Sequence, residues 1–93
     1  MQAIYKEETE ILVEEEVITT DEYSLVVFND EVNTFDHVID TLIDVCEHTP
    51  EQAEQCTLII HYKGKCNVKN GSFDKLAQMR NTICGRGISA EVL

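Results

Sequence analysis

The stretch LVVFNDEVNTFDHVIDTLIDV, residues 25–45, contains the change of period on which the fold turns. Up to Phe28 the chain is rich in β-branched and aromatic residues, and YSLVVF (23–28) reads as a buried strand. From Phe35 the apolar residues Val38, Ile39, Leu42, Ile43 and Cys46 recur at the spacing of one helix face. Asn33 or Thr34 caps that helix, and Asp36 falls in its first turn, where the helix dipole favours an anion. Between the two periods stand an amide and two adjacent carboxylates, Asn29, Asp30 and Glu31.

Two explanations for that joint are open from the residues alone. Asn and Asp fold their side chains back onto the local backbone as Asx-turns, and Glu31 then simply faces solvent. The other is a receptor for a protonated amine. An ammonium carries three donors and no acceptor, so it is held best by several converging oxygens. Such charge-assisted bonds gain strength at the lip of an apolar pocket, where water is partly excluded.

Downstream, TPEQ (49–52) opens a second helix with Thr49 as N-cap, Pro50 at the first helical position and Gln52 completing a capping box. Ala53, Cys56, Thr57 and Ile60 share one side of it, and Gly64 is the expected stop. His61, near its C-terminus, is either a partner of the helix dipole or a ligand contact. His37 and His48 read as surface or capping residues. A short strand over Lys65–Val68 is expected to end at the turn signal Asn70-Gly71. Ser72 caps a third helix bearing Phe73, Leu76, Met79 and Ile83, closed by Gly85 and Gly87, and ISAEVL ends the chain as an alternating strand. The predicted class is α+β: a small three-stranded antiparallel sheet with three helices on one face, in the order β-α-α-β-α-β.

The chain has 93 residues, enough for one modest core, with 18 acidic against seven basic residues and a net charge of −11. That balance argues against nucleic acid and anionic membranes, since both are bound through Lys and Arg. Residues 1–22 hold eight of the acids and one base, Lys6, and read as a flexible acidic N-terminal extension to a core domain over 23–93. A signal peptide pattern is absent, no apolar run approaches a membrane span, and the four cysteines form no CxxC pair. A reduced, cytoplasmic setting is expected. No metal site, cofactor or catalytic residue is expected, because the His and Cys residues lack zinc-like spacing and no cysteine opens a helix.

VVFNDEVNTFDHVIDTL, EQAEQCTLIIHYKGKC, a further helix and a last strand together resemble the ClpS family, adaptors that deliver N-end-rule substrates to a bacterial Clp unfoldase. The resemblance covers about Tyr23–Leu93 and is most specific at Asn29-Asp30 and at HYKGK (61–65). It implies that Asn29, Asp30 and His61 hold a substrate's α-amino group and first peptide unit. It also implies an apolar side-chain pocket made by Phe35, Val38, Thr57, Ile60 and Ile88, with Glu31 and Asn33 on the rim. The implied partners are a ClpA- or ClpC-like AAA+ unfoldase and proteins beginning with Phe, Tyr, Trp or Leu. Many members carry Asp at the position of Glu31, Thr at Asn33, and Met at Phe35 and Thr57, so the pocket is expected to be reshaped. Two other classes have distinct signatures. An interaction domain like the ribosomal stalk protein's C-terminal domain needs a basic exposed helix, whereas the third helix here offers only Lys75 and Arg80. A thiol enzyme using Cys56 or Cys66 with His61 needs a thiolate at neutral pH.

Overall fold

Antiparallel pairing on both sides of β1 (Tyr23–Phe28) organises the domain, with β2 (Lys65–Gly71) on one flank and β3 (Ala90–Val92) on the other. The computed structural model describes residues 22–93, so the acidic extension expected over 1–22 lies, except for Glu22, outside the described residues. Between β1 and β2 come α1 (Phe35–Cys46) and α2 (Pro50–Lys63), and α3 (Phe73–Gly85) joins β2 to β3. The order and the three-stranded antiparallel sheet are those read from the sequence.

Local signals set the helix ends. The Thr34 side chain accepts from the His37 N–H, which decides the N-cap of α1 between the two candidates. Thr49 and Gln52 form the reciprocal capping box of α2, and the Ser72 hydroxyl accepts from the Lys75 N–H at the start of α3. Leu25 and Val27 of β1 point into one core with Leu42, Leu76 and Ile83. Each such fully buried side chain stabilises the fold by about 1.5–3 kcal/mol. Val26 alternates to the opposite face and lies outside that cluster.

Three expectations need correction. Asn70-Gly71 does not end β2 as a turn; the strand continues through it, with Asn70 opposite Ser24 and Gly71 opposite Tyr23. A bulge between Leu25 and Val26 absorbs the extra residue, and Asn70 Oδ1 accepts from both Ser24 Oγ at 3.1 Å and Asn67 Nδ2 at 2.9 Å. Cross-strand pairing there overrides the local turn preference. His48 is no surface residue: it is buried, with Nε2 donating to the Val68 carbonyl at 2.7 Å, so it fastens the α1–α2 connection to β2. The final strand is also shorter than read, since Ile88 and Ser89 precede it.

Candidate functional site

Where β1 leaves the sheet, α1 and α2 converge on a cavity of about 360 Å³. All ten residues selected from the sequence line it. Val38 of α1, Thr57 and Ile60 of α2, and Ile88 ahead of β3 are buried and make its floor and walls. Asn29, Glu31 and His61 stand exposed at the mouth, with Asp30 and Asn33 half-buried beside them. Phe35, 42% exposed, spans the two zones. Val27 and Phe28 also line the cavity and were not selected. Their signal was position alone, as the last strand residues before Asn29.

Two backbone hydrogen bonds fix the mouth. The Phe28 N–H donates to the Ser89 carbonyl at 2.9 Å, and the Asn29 N–H donates to the Gly64 carbonyl at 2.8 Å. Gly64 ends α2 in the left-handed region, φ 94°, where a side chain would be strained. The residue that stops α2 therefore also anchors Asn29, and His61 lies within the turn just before it. The His61 ring stands edge-on to Phe35, centroids 5.1 Å apart, and to Tyr62 at 4.8 Å. Thr57 donates its hydroxyl to the Ala53 carbonyl at 2.8 Å, so its polar group is satisfied within α2.

Asp30 is held by its own turn. Its Oδ1 accepts from the Val32 N–H at 2.9 Å and the Asn33 N–H at 3.0 Å, and its Oδ2 accepts from Asn33 Nδ2 at 2.8 Å. The Asn33 backbone N–H is the main reason its carboxyl lies below the usual aspartate range. Partial desolvation opposes this, while the Val32 N–H, the Asn33 amide and His37 assist it. The turn reading and a charge-bearing mouth are thus compatible: the Asx-type turn is what orients the ionised carboxylate.

The cysteines are free and lie away from the cavity lining. Burial pushes the Cys66 thiol up to about 11, with Cys56 beside it adding to the shift, and burial likewise pushes Cys46 up to about 11. A thiol enzyme built on Cys66 would lack its nucleophilic thiolate at neutral pH. Among the described residues no helix is long and apolar enough to cross a membrane.

Fold and site together define a small α+β domain carrying, at one end of its sheet, a cavity apolar in its depth and polar at its mouth. The family described as ATP-dependent Clp protease adaptor protein ClpS matches residues 19–89, and the chain belongs to the ClpS family. It is 35% identical over 63 residues to the ATP-dependent Clp protease adapter protein ClpS of Nitratidesulfovibrio vulgaris (strain DSM 19637 / Miyazaki F), a match covering 66% of this chain and 63% of that protein's length. Its fold is similar to that of Agrobacterium tumefaciens ClpS2 bound to L-phenylalaninamide. That structure aligns with a TM-score of 0.76 at 14% identity, over 78% of this chain and 95% of the other.

Proposed function

We propose that this protein is a non-enzymatic adaptor that binds protein N-termini bearing large hydrophobic residues and delivers them to a Clp AAA+ unfoldase for ATP-dependent proteolysis. The observation that carries this reading is the pairing, in one cavity, of a polar mouth of Asn29, Asp30 and His61 with an apolar depth of Val38, Ile60 and Ile88. A Phe or Leu at the start of a chain presents an ammonium and a hydrophobic side chain on one carbon, and such a ligand satisfies both zones at once. An internal residue has no ammonium and would leave the carboxylate unpaired against the peptide, which is a basis for discrimination. L-Phenylalaninamide, bound to the Agrobacterium ClpS2, offers the same pairing of free amine and aromatic ring.

In this reading the acidic extension over 1–22 is a segment separate from the core at 23–93, the setting is cytoplasmic, and the unfoldase is of the ClpA or ClpC kind. The test is binding of a labelled peptide beginning with Phe or Leu, followed by fluorescence anisotropy. Affinity in the micromolar range or tighter is expected, with loss of binding once the peptide's amino group is acetylated. Equal binding of the acetylated peptide would remove the amine receptor. Stimulated degradation of a Phe-initiated substrate by a reconstituted Clp protease tests delivery separately.

A further inference from the structure

The mouth of the cavity contains one side chain that joins two of its walls. Asn33 Nδ2 donates to Asp30 Oδ2 at 2.8 Å and to the Gly87 carbonyl at 2.9 Å, 54 residues away in the chain. A carboxylate offers about four acceptor sites, two on each oxygen. Val32 N–H and Asn33 N–H take both on Oδ1, and the Asn33 amide takes one on Oδ2. The single open site therefore belongs to Oδ2, and Asn33 determines where it points. Gly87, in the left-handed region at φ 86°, directly precedes Ile88 of the cavity wall. The same loop is held by His37 Nε2, 2.9 Å from the Arg86 carbonyl. An exposed ion pair of Arg86 with Asp44 at 3.1 Å adds little. Asn33 alone among these contacts reaches both the acid and the loop.

We infer that Asn33 is the positioning residue of the amine receptor, aiming the open Oδ2 site of Asp30 into the cavity while fixing the gap between Asp30 and the Ile88 wall. It touches the ligand through neither role; it acts through Asp30. The inference rests on the amine-receptor reading above and specifies how that receptor is built. A Thr side chain at this position would be one bond shorter and would have one hydroxyl in place of the amide's two N–H donors, so it could not make both contacts.

A double-mutant cycle on the full chain tests it, with a Phe-initiated peptide as probe. Asn33→Ala should weaken binding about tenfold, the scale expected for one bond to a charged group. In the Asp30→Ala background the same substitution should change affinity by less than about twofold, because its target is gone. An undiminished tenfold loss in that background would show that Asn33 acts independently, and would overturn the inference. A peptide-free readout separates this outcome from failure of the receptor itself. The Asp30 carboxyl, followed by NMR in the unliganded protein, should titrate nearer the usual aspartate range in Asn33→Ala. Its charged and titratable surroundings, Glu31 beside it, His37 of α1 and His61 of α2, are unchanged by that substitution. An unmoved Asp30 titration refutes the tether, whether or not the peptide binds. Acetylated and free peptides binding alike, with Asp30 shifted as expected, would instead refute the receptor and leave the tether standing.

Discussion

Phe35 and His61, from different helices, meet edge to face with ring planes 70° apart at the mouth of the cavity. The contact ties the first turn of α1 to the last turn of α2, so the opening has a defined width set by two rings. Such aromatic pairs contribute about 0.5–1.5 kcal/mol beyond the area they bury. Phe35→Ala should therefore weaken binding of a Phe-initiated peptide by roughly 2–10-fold. The loss should come with a faster dissociation rate, measurable by stopped-flow anisotropy. Unchanged dissociation would mean that Phe35 lies beside the ligand's path and not across it.

Asp30→Ala should reduce affinity for the same peptide about a hundredfold, since truncating one partner of a partly desolvated charge pair is costly. Its turn hydrogen bonds to Val32 and Asn33 are local and partly exposed, so their loss should cost only about 1 kcal/mol of stability. Thermal melts and anisotropy titrations on one preparation distinguish these effects. A collapsed melting temperature with preserved affinity would contradict the assignment.

Binding should be bell-shaped in pH. As pH falls through the lowered value of Asp30, the carboxylate protonates and the counter-charge disappears. As pH rises past about 8, the peptide's own amino group loses its proton. Because Asp30 is shifted downward, the acid limb should lie below the ordinary aspartate range near 3.9. The related contribution of Asp30 to folding stability is present above that ordinary value and is lost as pH falls through the lowered one. Calorimetric titrations between about pH 7 and 10 should show affinity declining on the alkaline side; an affinity still rising above about pH 9 would exclude an ammonium ligand.

Cys46 and Cys66, with thiols near 11, should have about one thiolate in ten thousand at pH 7. Alkylation by iodoacetamide at these positions, followed by mass spectrometry, should be slow at neutral pH and accelerate steadily towards pH 10. Rapid labelling of Cys66 at pH 7 would revive a thiol-based chemistry.

Glu47 closes α1 in the left-handed conformation, φ 62° and ψ 32°, the only non-glycine described residue with positive φ. That conformation costs a non-glycine residue about 1–2 kcal/mol. Glu47→Gly should raise the melting temperature by several degrees, offset to some extent by the greater freedom of glycine in the unfolded chain. A lower melting temperature would show that the Glu47 side chain contributes contacts that outweigh the strain.

The features legible in the sequence were those encoded within a few residues of each other. Thr49-Pro50-Glu51-Gln52 specifies a helix start by itself, and the spacing from Phe35 to Cys46 specifies a face. The candidate site residues come from the likeness of Asn29-Asp30 and HYKGK to a known pattern, which spacing alone does not supply; the fold brings them to one cavity. What escaped depends on contacts between distant regions of the chain. Asn70-Gly71 reads as a turn until β1 pairs with it, and His48 reads as polar surface until the Val68 carbonyl gives its ring a buried partner. Asn33 reads as a rim residue until the closed tertiary fold supplies its second partner, Gly87.

Placing β1 at the centre of the sheet has a mechanical consequence. The strand is bonded to neighbours along both edges, and the chain enters it at Tyr23, the end remote from Asn29. Tension applied along the strand from that entrance, with the rest of the domain braced, loads both ladders in shear, so many bonds resist together instead of unzipping in succession. Force entering at Tyr23 would thus be resisted along the whole length of β1 before it reached Asn29 at the strand's far end.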